Sequence, residues 1–190
     1  MNSFALICSS KKGGNTDILV DRVVKRSQKY TGQRETLYLY DYRISHCTDC
    51  CDCQKREYVC TLNDGMQEII SKIEKADLII LGIPFYEAGL RGRTKRFIAR
   101  MRPFALNGKL RGKRWIFVTC SSEGSRRSKP LLEMLEMLFG QLGVSFEVKV
   151  LAKVNTKGKI TGNVETSKKR KNDIQLSKNV ERSQTSNRLP

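Results

Sequence analysis

Ser9-Ser10-Lys11-Lys12-Gly13-Gly14-Asn15-Thr16 separates an apolar run, Phe4 to Cys8, from a segment in which Ile18, Leu19, Val20, Val23 and Val24 recur at helical spacing. The run has the length of a buried strand and the segment has the period of an amphipathic helix, so the stretch is a strand-to-helix turn. Such a turn aims backbone N–H groups and the positive end of a helix at one point. Hydroxyls of Ser9, Ser10 and Thr16, the Asn15 amide and the cations of Lys11 and Lys12 gather there. An anion fits this arrangement. A solvated turn with a helix cap fits it too, because the spacing matches neither the Gly-Lys-Ser/Thr phosphate loop nor the three-glycine dinucleotide pattern.

Outward from this turn the chain alternates strands and helices. Glu35 to Tyr40 has the aromatic and β-branched content of a second strand. Met66, Ile69, Ile70 and Ile73 mark a helix that Asp64 caps, and Leu78 to Leu81 is an unbroken apolar run, the mark of a strand buried on both faces. Pro84 ends that strand. A helix follows over Thr94 to Met101, then a fourth strand over Trp115 to Cys120. Pro130 opens a helix with Leu131, Leu132, Met134, Leu135, Leu138 and Phe139 inside, and Ser145 to Leu151 is a fifth strand. The expected fold is α/β: a flavodoxin-like doubly wound five-stranded parallel sheet, order 2-1-3-4-5, with helices on both faces. In that architecture ligands bind outside the carboxyl ends of the strands, where the turns Ser9 to Thr16, Pro84 to Gly89 and Thr119 to Ser125 all end.

The 190 residues, 39% of them hydrophobic, support one domain, expected over 1–163, with a Cys-rich loop at 47–60 and a basic polar tail at 164–190, frayed helix or disordered. No apolar run reaches membrane-spanning length and the N-terminal run is short for a signal peptide, which places the protein in the cytoplasm. The net charge of +17 favours anionic partners: a phosphorylated cofactor, nucleic acid or an acidic surface. Ten bases and no acids lie between Arg91 and Arg114. Five of the seven cysteines crowd between Cys47 and Cys60, and in a reducing compartment that points to ligand or redox chemistry rather than cross-linking. His46, the single histidine, is read as a surface residue.

The motifs resemble those of the flavodoxin-like NAD(P)H-dependent FMN reductases, and within them the iron-sulfur flavoproteins. The matching stretches are Ser9 to Thr16, then Cys47-x2-Cys50-x2-Cys53 with Cys60, Asn63-Asp64-Gly65-Met66, Ala76 to Ile80, Pro84-Phe85-Tyr86, and Lys95 through Phe97 to Arg100. The resemblance implies that Ser9, Lys11, Asn15 and Thr16 hold the phosphate of FMN. It implies that Pro84, Phe85, Tyr86 and Glu87 wrap the flavin ring, with Thr119, Cys120, Ser121 and Gly124 on its other side. It further implies NAD(P)H as co-substrate, an unidentified electron acceptor and a homo-oligomer, dimer or tetramer.

For the cysteine loop three readings stand: a [4Fe-4S] cluster on Cys47, Cys50, Cys53 and Cys60, a zinc ion, or unligated thiols. Thiolates around one zinc sit about 3.7 Å apart, given Zn–S bonds of about 2.3 Å. Cysteines in such tight repetition wrap more naturally around a larger cluster. The functional expectation is an FMN-dependent oxidoreductase that takes a hydride from NAD(P)H. An FMN-binding electron carrier without a nicotinamide site and a basic nucleic-acid-binding protein on this fold are the alternatives. Arg91, Arg93 and Lys95 are candidates for an NADP phosphate, against a solvated basic face or a dimer contact.

Overall fold

β1 (Ser3–Ile7) and β3 (Leu78–Gly82) are buried along their whole length, as their unbroken apolar sequences require. They lie side by side and parallel, Ile7 opposite Gly82, with β2 (Arg34–Tyr38) on the outer side of β1 and β4 (Arg114–Ser121) on the outer side of β3. The computed structural model describes residues 1–27, 32–56, 59–86, 89–121, 125–144, 146–153 and 165–168. Over these the sheet has the order β2-β1-β3-β4-β5-β6, where β5 (Phe146–Lys153) is parallel to β4 and β6 (Glu165–Lys168) is antiparallel to β5.

The flavodoxin-like α/β fold is therefore present with five parallel strands in the expected order 2-1-3-4-5, and the sheet differs from the expected one by an added antiparallel strand. A sixth strand closes the outer edge of β5, satisfying backbone groups that an edge would leave open. It occupies 165–168, inside the stretch expected as a frayed or disordered tail; the rest of that tail lies outside the described residues. Two local expectations also shift. The second strand stops at Tyr38 and passes into a 3-10 turn, Leu39–Asp41. The helix expected to open at Pro130 begins at Ser125 and contains Pro130, whose ring removes one backbone donor in the second turn.

Helices cover both faces. α1 (Asn15–Arg26) sets Leu19, Val20 and Val23 against Ala5, Ile7, Ile80, Ile116 and Val118. On the other face α3 (Met66–Lys75), α4 (Gly92–Arg100), α5 (Arg102–Asn107) and α6 (Ser125–Gln141) bury a larger core. There Trp115 packs edge-on to Phe139 and Phe146, with ring centroids 5.8 and 6.4 Å apart. α1 approaches the sheet most closely at Gly82, where an added Cβ would stand 2.5 Å from Val20 Cγ2 and 3.2 Å from Thr16 Cγ2.

The loop from Ile44 to Asp64 is fastened to this frame by one buried ion pair. Arg100, on α4, donates from Nη1 to Asp64 Oδ2 at 2.7 Å and from Nη2 to Asp64 Oδ1 at 3.2 Å, with side chains 1% and 10% exposed. The same guanidinium reaches the carbonyls of Ser45 at 3.2 Å and Leu62 at 3.4 Å, near the two ends of the loop. Asp64 also accepts the Ser45 N–H at 2.8 Å and the Met66 N–H at 3.0 Å, and Gln67 Oε1 accepts the Asp64 N–H at 2.7 Å, a reciprocal cap on α3. The expectation that Asp64 caps this helix holds. Burial alone pushes the Asp64 carboxyl up, but the hydrogen bonds from Arg100, Ser45 and Met66 outweigh it and hold the pKa at about 2.

Gly82→Ala is expected to destabilise the fold by about 1–3 kcal/mol, because the new methyl meets Val20 in a packed layer; urea unfolding with an unchanged midpoint would contradict this. For Asp64 the folded pKa lies below the ordinary 3.8, so its contribution is complete above pH 4 and is lost as pH falls toward 2. The loss amounts to about 2 kcal/mol. Unfolding curves of wild type and Asp64→Asn should accordingly converge as pH is lowered from 5 to 2.5.

Candidate functional site

The first turn leaves β1 at Cys8, whose N–H donates to Gly82 O at 2.7 Å, and enters α1 through Gly13 and Gly14. Gly13 has φ +69°, a conformation that favours glycine. Gly14 is the N-cap of α1 and makes no side-chain cap, and the first intrahelical bond runs from Ile18 N to Gly14 O at 3.0 Å. The amides of Asn15, Thr16 and Asp17 thus have no helix carbonyl to meet them. Ser9 is buried and its Oγ accepts the Lys11 N–H at 3.3 Å, while Lys11 is exposed, Asn15 half-buried and Thr16 buried.

Two charges at this turn escape a sequence reading. Asp17 Oδ2 accepts the Gly13 N–H at 2.6 Å and the Tyr38 hydroxyl at 3.0 Å, so one amide of the turn is already engaged by a carboxylate. Lys12 is drawn sideways into an ion pair with Asp41 at 2.7 Å and lies 4.8 Å from the Tyr38 ring centroid. Of the two lysines, Lys11 is the one with no ion pair among the described residues. The sequence marks Asp17 only as an acid in a first helical turn, and the strand that brings Tyr38 beside it is a tertiary matter.

The second turn continues from Gly82. Ile83 N donates to Val118 O at 2.9 Å and Phe85 N to Cys120 O at 3.3 Å, so β3 and its turn run alongside β4 to the rim. Pro84 is buried, whereas Phe85 and Tyr86 are half-buried. The Tyr86 carbonyl accepts the Gly89 N–H at 2.8 Å, closing a tight turn; Glu87 lies outside the described residues. Arg91 stacks 4.1 Å from the Tyr86 ring centroid, and Arg93 stands 4.8 Å from the Tyr40 ring and donates to the Tyr40 carbonyl. Two of the three bases singled out for a phosphate are thus spent on aromatic rings.

At the end of β4, Cys120 faces α1 and its Sγ lies 3.5 Å from Thr16 Oγ1, a contact that spans 104 residues of sequence. Thr119, one residue earlier, points to the opposite layer; it is fully buried and its Oγ1 has no partner among the described residues. Ser121 is buried, and Gly124 lies outside the described residues. The first turn, the Pro84 turn and the end of β4 therefore share one rim of the sheet. The open start of α1, with Ser9 and Thr16 beside it, fits the phosphate of a cofactor, and the half-buried Phe85 and Tyr86 fit one face of a flat ring.

The cysteine loop is a separate construction. All seven cysteines are free thiols. Cys47, Cys50, Cys51, Cys53 and Cys60 line a single cavity whose wall is completed by Arg100 and Arg102. To bring them there the chain places two non-glycine residues in left-handed conformations, Asp49 at φ +53° and Cys51 at φ +57°, just before a one-turn helix, α2 (Asp52–Lys55). Such residues cost about 1–3 kcal/mol each and collect at functional sites. Arg102 pairs with Asp49 and lies 4.0 Å from Cys51 Sγ. Burial pushes the Cys53 thiol up; Arg102 opposes this, and the neighbouring Cys60 and Cys47 add to it. Among the described residues no three His, Cys, Asp or Glu side chains stand close enough to hold a single ion. Cys51, fifth in the cavity wall, is surplus to four ligands. His46 is exposed.

No helix among the described residues is long and apolar enough to cross a membrane. A family model for NADPH-dependent FMN reductases matches residues 1–174. An iron-sulfur flavoprotein of Methanocaldococcus jannaschii is 33% identical over 105 residues, 55% of this chain and 54% of that protein. One from Archaeoglobus fulgidus is 28% identical over 113 residues, 60% of this chain and 51% of that protein. The chain thus matches about half the length of these relatives. In fold it is similar to the solved Trp repressor binding protein from Bacillus subtilis, with a TM-score of 0.59 over 95% of this chain and 98% of that one at 19% identity. With a family match that runs from the first strand through β6, the chain belongs to the NADPH-dependent FMN reductase family.

Proposed function

We propose that the protein is an FMN-dependent oxidoreductase that takes reducing equivalents from NAD(P)H and passes them to an acceptor through an iron-sulfur cluster in the cysteine loop. The observation that carries this reading is the meeting of the uncapped start of α1 with the ends of β3 and β4, in a chain of this family. Bound there, FMN supplies hydride acceptance and the division of an electron pair into single electrons.

The residues act by holding and shaping. Ser9, Asn15 and Thr16 present hydroxyl, amide and helix-end N–H groups to the phosphate, and Lys11 adds the available cation. Pro84, Phe85 and Tyr86 form one wall for the ring. The backbone of Thr119, Cys120 and Ser121 forms the other. The side chain of Thr119 is turned away from α1 and serves the fold. Cys47, Cys50, Cys53 and Cys60 would hold a [4Fe-4S] cluster, which supplies a one-electron relay. Three supports carry that part: five thiols about one cavity, the left-handed backbone at Asp49 and Cys51, and relatives named as iron-sulfur flavoproteins. A homo-oligomer, dimer or tetramer, in the reducing cytoplasm completes the proposal.

The visible spectrum of anaerobically purified protein tests the cofactor content. Flavin bands above a broad iron-sulfur absorption are expected; flavin bands alone would remove the cluster, and a colourless protein that does not take up FMN would remove the whole reading. Cys50→Ser should abolish the broad component and leave the flavin bands. Asn15→Ala with Thr16→Ala should weaken FMN binding at least tenfold by fluorescence titration, at about 1.4 kcal/mol or more. An absence of NADPH oxidation with any acceptor at full FMN occupancy would make the protein an electron carrier instead.

A further inference from the structure

One hydrogen bond at the sheet rim joins the first turn to the end of β4. Thr16 Oγ1 lies 3.5 Å from Cys120 Sγ, and among the described residues the hydroxyl has no other partner. Both side chains are buried, Thr16 at 2% exposure and Cys120 at 5%. A threonine inside a helix commonly turns its hydroxyl to a carbonyl three or four residues back. Thr16 is the second residue of α1, so no helical turn lies behind it, and its hydroxyl goes across to the sheet instead. Its methyl is placed as well: an added Cβ at Gly82 would stand 3.2 Å from Thr16 Cγ2, so that carbon rests over the glycine. Methyl against β3 and hydroxyl against β4 together hold the side chain in one rotamer.

The contact can run in either direction, and the direction matters. A hydroxyl has one proton and two lone pairs, whereas a thiol has one proton on a weakly accepting sulfur. If Thr16 gives its proton to Sγ, none is left for a ligand. If the thiol gives its proton to Oγ1, the Thr16 O–H is free to donate to an anion at the start of α1. A phosphate oxygen is a far better acceptor than a thiol sulfur, so an anion there selects the second arrangement. Burial pushes the Cys120 thiol up, against the opposing effect of the Thr16 hydroxyl, which keeps the proton on sulfur. Cys8, the other buried thiol, packs in the opposite layer of the sheet, and Thr119 points there too.

We propose that Cys120 is a positioning residue: its S–H donates to Thr16 Oγ1 and leaves the Thr16 hydroxyl proton for the phosphate of FMN, so that a thiol on β4 favours phosphorylated flavin over riboflavin. The inference rests on the FMN reading of this rim. It gives the Cys120 side chain a task on the phosphate side, through Thr16, distinct from that of the Cys120 backbone beside the ring. The task depends on the close approach of α1 at Gly82, which brings Thr16 within reach of a strand two places from its own β1.

The test is a fluorescence titration of the full chain with FMN and, separately, with riboflavin. Cys120→Ala removes the donor and should weaken FMN binding about threefold to tenfold, with riboflavin binding unchanged. Thr16→Val keeps the methyl and removes the hydroxyl. Adding Cys120→Ala to Thr16→Val should weaken FMN binding no further, because the thiol then has no hydroxyl to direct. Cys120→Ser supplies an O–H donor and should bind FMN more tightly than Cys120→Ala. Additive losses in the double variant, an equal loss for riboflavin, or a serine variant no better than alanine overturns the proposal. Should Cys120→Ala fail to fold, Cys120→Val removes the same donor at nearly the same volume and is judged by the same outcomes. Wild-type protein that takes up neither flavin would remove the FMN reading and this inference with it. A wild type that prefers FMN to riboflavin, with the preference intact in Cys120→Ala, would remove this inference alone.

Discussion

The Asp64–Arg100 pair holds a cysteine-bearing loop in a defined place on a fold that does not otherwise need it. Its two carboxylate oxygens face two guanidinium nitrogens, and the remaining bonds go to Ser45, Leu62 and Met66, so loop entry, loop exit, α3 and α4 meet at one point. A buried ion pair gains little over a hydrophobic contact, yet losing one partner costs about 3–5 kcal/mol. The pair is thus better understood as a device for position than for stability. Within the loop it fastens, the left-handed turns at Asp49 and Cys51 lie beside a second pair, Asp49 with Arg102.

A second constraint organises the sheet rim. Because Gly82 has no side chain, α1 can lie against β3 closely enough for Thr16 to reach past it to Cys120 on β4. The first turn is then one wall of a site rather than an isolated loop. Its electrostatics are more balanced than ten bases over Arg91 to Arg114 suggest. Lys12 is paired with Asp41, Arg91 and Arg93 lie on tyrosine rings, and Asp17 takes the Gly13 amide. In the proposed reading an anion is met by the helix end, the hydroxyls of Ser9 and Thr16, the Asn15 amide and Lys11. The large positive charge of the chain acts at longer range, on encounter with anionic molecules.

The sequence by itself determined the layers. Unbroken apolar runs at Phe4 to Cys8 and Leu78 to Leu81 can only be strands covered on both faces, and the helical spacing between them supplies the cover, so the parallel core was legible without coordinates. The cap at Asp64 was legible as well, since its spacing to Met66 and Gln67 is local. The antiparallel β6 was not: Glu165–Lys168 is polar, and it becomes a strand through the open edge of β5, a partner that its own residues do not specify. Pro130 misled because a proline marks a helix start only by preference, and here the helix begins earlier, at Ser125. Tertiary structure alone decided which charges are spent and which stay available. Pairings such as Lys12 with Asp41, Arg100 with Asp64 and Thr16 with Cys120 join residues 29, 36 and 104 positions apart, and only the folded backbone fixes those distances.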